Sequence, residues 1–242
     1  VGEALLDFPT PSCPTPSDTF HRTKSLLAKY KNDPLVRTSV ALHSPYACSL
    51  DLLSQGNSFA IEHKIPVQIH LSETLDEENL IRERYNLSAT ELIEKVGLLR
   101  TGVIASHVVH PKKEELEKLF SANVAVVHNP RSNLKLASGF AQTDFIAENS
   151  NLLALGTDST ASNNTLDLFK EMNASALVSK LISCNPTSMS ARKLLRIATI
   201  GGASALGLSQ YTGSIEKEKW ADLIFIDFKA PHLTPCYDLY SH

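Results

Sequence analysis

His70-Leu-Ser-Glu73 sets an imidazole and a carboxylate three residues apart at the end of an apolar run, residues 65–69, that reads as a buried strand. Neutral imidazole is the commonest protein ligand for a metal ion, and a carboxyl desolvated beside one can pass protons in both directions. Two further apolar runs stop in the same way, on Ser106-His107 and on Gly156-Thr157-Asp158. Asp158 brings the oxygen that a zinc-type ion accepts, which makes His70 and Asp158 candidate metal ligands and Glu73 a candidate proton carrier. His43 closes the run 37–42 and precedes Ser44-Pro45-Tyr46, a turn that would hold its ring at the same mouth for contact with a substrate.

Each of these residues also has a plainer reading. A strand-end histidine can be a satisfied packing residue, and His43 reads equally well as a buried hydrogen-bonding one. Asp158, before Ser159, can cap the next helix, and Glu73, before Leu75, can be an acid at a helix N-terminus. Recurrence in chain order favours a site. His110, before Pro111, reads as a loop residue, and the segment His128-Asn129-Pro130 with Ser132-Asn133 reads as hydrogen-bonding support rather than ligation. His21, His63, His232 and His242 have no supporting context.

The elements that must position these groups follow from periodicity. Runs of four to six residues rich in β-branched and apolar side chains, 37–42, 67–70, 102–106, 124–127 and 152–155, are strand-sized, as is the opening 1–8. Between and beyond them, helical spacing predicts helices at 50–63, 75–84, 89–96, 112–121, 140–149, 165–182 and 190–208, and Ser17-Asp18 is expected to cap another that runs to about Lys31. Four prolines within 9–16 dictate an extended loop. Strands alternating with helices imply a parallel α/β sheet, and a β/α barrel keeps its chemistry at the C-terminal ends of the strands. Six strands can be counted where a closed barrel needs eight, so either the sheet is open or two strands lie upstream of Val1. Residues 213–227 look like a hairpin of a small accessory β-structure.

A chain of 242 residues that is 43% hydrophobic can bury one large core. A net charge of -3 without clustered Lys and Arg argues against nucleic acid and against a polybasic membrane patch, leaving a small molecule as the expected partner. The four cysteines are scattered, with no Cys-x-x-Cys pair, and fit a reducing cytoplasm. Neither a membrane-spanning apolar run nor a signal pattern is evident, so the cytosol is the expected location.

The ordered segments His43-Ser-Pro-Tyr46, His70-Leu-Ser-Glu73, Ser106-His107, His128-Asn-Pro-Arg-Ser-Asn-Leu-Lys-Leu-Ala-Ser-Gly139 and Leu155-Gly-Thr-Asp158-Ser-Thr-Ala-Ser-Asn-Asn164 resemble the amidohydrolase superfamily. Within it they are most similar to the 5-methylthioadenosine/S-adenosylhomocysteine deaminases and the related chlorohydrolases. The likeness implies a (β/α)8 TIM-type barrel with a small β-domain and one divalent metal, usually zinc, with iron(II) the alternative. Position by position it implies His70 and Asp158 as metal ligands, Glu73 as the proton shuttle to a heteroaromatic ring, and His107 beside the activated water. His43 is implied as a substrate-binding residue, with Glu73 and Asp158 also touching substrate and Asp158 taking the water's proton.

The implied reaction is hydrolytic deamination of an adenosine-type nucleoside such as S-adenosylhomocysteine or 5-methylthioadenosine, with release of ammonia. Alternatives are a chlorohydrolase or another heteroaromatic deaminase of the same superfamily, or an inactive truncated chain. A cytidine-type zinc deaminase would need a Pro-Cys-x-x-Cys motif that is absent. So is the superfamily's His-x-His pair, and Ser159 stands where relatives often carry glycine. Residues 1–210 are therefore expected to form a partial barrel of about six strands, and 211–242 part of the accessory β-domain. A homo-oligomer is compatible with this reading.

Overall fold

Each of the six strand-sized runs predicted within residues 1–155 becomes a strand of one sheet. In the computed structural model, which describes residues 1–240, these are β1 (Ala4–Leu5), β2 (Val40–Leu42), β3 (Val67–Leu71), β4 (Val103–His107), β5 (Ala125–His128) and β6 (Leu153–Leu155). All neighbouring pairs are parallel and the spatial order equals the chain order, the winding of a β/α barrel. Among the described residues β1 and β6 do not pair, so the sheet is an open arc, a partial barrel.

The crossovers are helical. They are α1 (Pro16–Lys29), α2 (Leu50–His63), α3 (Leu75–Tyr85) with α4 (Ala89–Lys95), α5 (Lys113–Ser121), and α6 (Pro130–Lys135) with α7 (Thr143–Asn149). After β6 come α8 (Thr160–Asn163), α9 (Leu168–Ser183), α10 (Ala191–Arg196) and α11 (Gly202–Ala205). Strand alternation sorts the two faces of the sheet. Val67, Ile69 and Leu71 join the core beneath the helices with Leu53, Leu92 and Leu116, while Gln68 and His70 take the opposite face.

Caps explain where the helices begin. The α1 cap is Thr15 rather than Ser17-Asp18: its hydroxyl accepts from the Asp18 N–H at 3.2 Å while the Asp18 carboxylate accepts from the Thr15 N–H at 3.0 Å. Pro16 favours this start, since its ring presets a helical φ and it has no N–H to leave unpaired. Ser88 caps α4 with the same reciprocal pair, and the side chains of Ser49, Thr74 and Asp167 accept backbone N–H groups at the starts of α2, α3 and α9.

Three segments depart from expectation. The short α6 falls where no element was predicted, its Pro130 again at the first helical position. The helix expected over 190–208 is instead α10 and α11 joined through a π-helical turn, Ile197–Gly201. The hairpin over 213–227 does not form. Trp220 N–H donates to the Tyr211 carbonyl at 2.7 Å and their rings stack, closing a turn, but no strand follows. Leu223, Ile224, Phe225 and Ile226 remain exposed, because a β-prone run adopts a strand only when another strand pairs with it. No helix among the described residues is long and apolar enough to cross a membrane, and His242 lies outside them.

Candidate functional site

The C-terminal ends of β2, β3 and β4 bring three imidazoles together. The ring centroids of His43 and His70 are 5.1 Å apart, and those of His70 and His107 are 5.4 Å apart. Each ring is fixed through Nδ1. His70 Nδ1 lies 2.6 Å from the His43 carbonyl, which can only accept, so Nδ1 carries the proton and Nε2 keeps its lone pair. His107 Nδ1–H donates to Asn133 Oδ1 at 2.7 Å, again leaving Nε2 bare. His43 Nδ1 is 2.9 Å from Ser44 Oγ, and its ring meets Tyr46 edge-on.

Glu73 reaches this group by a sharp reversal of the chain. β3 ends at Leu71, and Ser72 takes a left-handed φ of 51°. The Glu73 carboxylate then lies 3.8 Å from His107 Nε2. The helix-acid reading of Glu73 fails, since Thr74 is the cap and Asp76, Glu77 and Glu78 fill the first turn of α3. Asp158 is likewise not a cap: Ser159 caps α8, and the Asp158 carboxylate instead accepts from Ser132 Oγ at 2.5 Å and from the Ser159 N–H at 2.6 Å. His107 and Asp158 both hold left-handed φ values, 74° and 58°, so each strand turns sharply as it delivers its side chain.

Electrostatics follow burial and partners. Burial lowers the His107 pKa, against the Asn133 hydrogen bond and the charges of Glu73 and Asp158. Burial and the neighbouring His70 lower that of His43. Burial alone would raise the Asp158 pKa, but hydrogen bonds from Ser132, Ser162 and the Ser159 N–H outweigh it and hold this carboxyl below its ordinary range.

Supporting residues were partly legible. Ser132 and Asn133 bond the site as anticipated, whereas His128 does not: among the described residues neither of its ring nitrogens has a partner, and the ring packs edge-on against Phe140. Nothing in the spacing singled out buried Glu171, which accepts from Asn163 Nδ2 at 2.8 Å and from the Arg131 N–H at 3.1 Å. Asn163 in turn donates to the Thr157 carbonyl, at 2.5 Å, and so holds the peptide before Asp158. A concavity of about 830 Å³ opens at the other end of the strands, beside Tyr30, Arg37, Lys64 and Tyr211, and touches none of the site residues.

Two bare imidazole nitrogens and an oriented carboxylate suit a divalent cation of the zinc type in kind. Their number is short, for no three His, Cys, Asp or Glu side chains among the described residues converge closely enough to hold an ion. These groups fit part of a metal site.

Singly wound parallel β/α units that gather imidazoles and carboxylates at the strand C-termini define a barrel-type β/α protein with its site at the mouth of the sheet. Residues 10–240 match the Amidohydrolase family, and the chain belongs to that family. It is 44% identical over its whole length to a 5-methylthioadenosine/S-adenosylhomocysteine deaminase of Syntrophobacter fumaroxidans, covering 55% of that protein. It is 40% identical over 212 residues, 87% of this chain and 49% of the relative, to a 5'-deoxyadenosine deaminase of Methanococcus aeolicus. A zinc-bound crystal structure described as an adenosine deaminase from Xanthomonas campestris superposes with a TM-score of 0.95 at 35% identity, over 100% of this chain and 55% of that one. The chain spans about half the length of the curated relatives it matches.

Proposed function

We propose that this chain carries the proton-transfer side of a metal-dependent aminohydrolase that removes the ring amino group of an adenosine-type nucleoside, such as 5-methylthioadenosine or S-adenosylhomocysteine, as ammonia. The observation that carries the reading is the placement of Glu73 3.8 Å from the bare Nε2 of His107, with the His70 ring alongside. The names of the relatives support the substrate class. His70 and Asp158 would hold one divalent ion, zinc before iron(II), together with ligands from beyond these residues. Such an ion, when bound, acidifies water and so supplies a nucleophile at neutral pH.

The chain's own residues do the rest. Asp158, aimed by Ser132 and the Ser159 N–H, takes the proton of the attacking water. His107, its Nδ1–H tied to Asn133, offers Nε2 as acceptor to an O–H of the attacking water. Glu73 delivers a proton to the ring nitrogen beside the carbon that bears the amino group. The proton taken by Asp158 passes to the amino group so that it departs as ammonia, and the hydroxyl proton released as the carbonyl forms restores the Glu73 carboxyl. His43 contacts the nucleoside. Residues 211–242 belong to an accessory β-unit in this reading, to which the exposed run of residues 223–226 would contribute a strand.

Glu73→Gln is expected to lower ammonia release from 5-methylthioadenosine by about 10²–10⁴-fold while zinc content stays at the wild-type level. Turnover retained in that variant would refute the role. His70→Ala is expected to deplete zinc itself, read by elemental analysis, and a fully loaded variant would overturn the ligand assignment.

A further inference from the structure

Glu73 is held by more than its own turn. Ser138, only 4% exposed, donates from Oγ to Glu73 Oε1 at 3.2 Å, while the other carboxylate oxygen faces His107. The Ser138 carbonyl accepts from His110 Nε2–H at 2.6 Å. His110 in turn donates its backbone N–H to the Ser72 carbonyl at 3.0 Å, and Ser72 is the residue bonded to Glu73. The circuit closes: Glu73 carboxylate, Ser138, His110, Ser72, Glu73. Its other fixings come from two sides. The Glu73 N–H donates to Glu77 Oε2 at 2.7 Å, and the Ser138 N–H donates to the carbonyl of Asn133, whose side chain orients His107.

Local backbone geometry is built for this contact. Ser138 sits between two left-handed residues, Ala137 at φ 57° and Gly139 at φ 115°. A Cβ on Gly139 would lie 2.9 Å from Val109 Cγ1 and 3.2 Å from His110 Cε1, so glycine is what lets the Ser138 turn settle against His110.

We infer that Ser138 and His110 are positioning residues for the Glu73 carboxylate: Ser138 Oγ fixes its rotation, and His110 fixes Ser138. A carboxylate with one free oxygen could swing about its side-chain torsions. With Oε1 occupied by a hydroxyl that is itself anchored, Oε2 is kept on the His107 side, where a proton carrier must stand. His110 touches no reacting group and acts only through the turn that carries Ser138. The inference rests on the proton-carrier reading of Glu73 for its consequence in catalysis, but not for its geometry.

The test uses Ser138→Ala, His110→Ala, His110→Gln and the double Ser138→Ala/His110→Ala in the zinc-loaded protein, with crystal structures and steady-state kinetics on 5-methylthioadenosine. In the Ser138→Ala structure the Glu73 carboxylate should leave its place beside His107 Nε2 or split between rotamers. kcat should fall about tenfold with KM and zinc content within about twofold, as expected when a group is misplaced rather than removed. His110→Ala should lower kcat in the same sense, and His110→Gln, which keeps a donor at the same reach, should restore it. The double variant should be no slower than Ser138→Ala alone, since both act by one route.

A Glu73 carboxylate that stays in place in Ser138→Ala would overturn the inference whatever the activity. So would single variants within twofold of wild type in kcat while Glu73→Gln abolishes turnover. If Glu73→Gln turns over normally, the functional reading fails and the crystal structures still decide the positioning claim. Should Ser138→Ala not fold, His110→Ala breaks the same circuit from the other side.

Discussion

Two buried ionisable side chains outside the candidate site, Glu77 and His128, tilt stability with pH in opposite directions. Burial pushes the Glu77 carboxyl up to about 7 from an ordinary 4.5, with the Glu78 and Glu73 charges adding and the N–H groups of Glu73 and Ser72 opposing. The folded chain therefore keeps a proton that the unfolded chain sheds, so stability falls as pH rises from 4.5 to about 7 and the full penalty stands above that. Glu77→Gln keeps an acceptor for the Glu73 N–H. It should match wild type near pH 4 and exceed it at pH 8 by up to about 3 kcal/mol, read by urea unfolding across pH. A pH-independent difference would refute the assignment. His128 is pushed the other way, down to about 3, by burial first and by His107 second. Its ring is neutral when folded and protonates when unfolded, so stability falls as pH drops from 6.5 towards 3. His128→Phe gives up no hydrogen bond and should flatten that acid slope. An unchanged slope would place the acid sensitivity elsewhere.

Among the elements, α6 does most to organise the site. Through Ser132 it aims Asp158, through the Asn133 side chain it sets the His107 tautomer, and through the Asn133 carbonyl it anchors Ser138. Its six residues, Pro130–Lys135, carry too little apolar periodicity to be read as a helix; Pro130 at the first turn was the available signal. Helices α2 and α4 were legible because each combines a cap with buried apolar positions. The tail helices were legible only in part. Residues 201–205 are all small and permit close packing, and Gly201 provides it, since a Cβ there would stand 2.5 Å from the Leu153 carbonyl of β6. Nothing in the sequence marks the π-helical turn that brings Gly201 to this contact. Gly201→Ala should push the turn off β6 and cost about 1–3 kcal/mol by calorimetry; a neutral effect would mean that the turn shifts without strain.

At the scale of the whole molecule the sheet is an arc with apolar surface still showing. Ile224 and Phe225 are 73% and 95% exposed, and α9 turns Phe169, Leu177 and Leu181 outward while it buries Glu171, Ser175 and Ser179. The isolated chain should therefore self-associate as concentration rises, and the double variant Ile224→Lys/Phe225→Lys should weaken that association in sedimentation velocity. A strictly monomeric wild type would contradict this. The sequence by itself determined the alternation of strand and helix, the parallel sheet, and which ionisable residues close the strands, because periodicity and strand length are local properties. It could name His43, His70, Glu73, His107 and Asp158, and it could not choose between their functional readings and the plainer ones. Tertiary structure removes two of the plainer readings, because Thr74 caps α3 and Ser159 caps α8, and it sets which Nδ1 meets a carbonyl or an amide oxygen. For His70-Leu-Ser-Glu73 the outcome is concrete. A left-handed Ser72 and a serine 65 residues further on decide where the Glu73 carboxylate stands, and contacts that distant in sequence exist only once the strands have lined up.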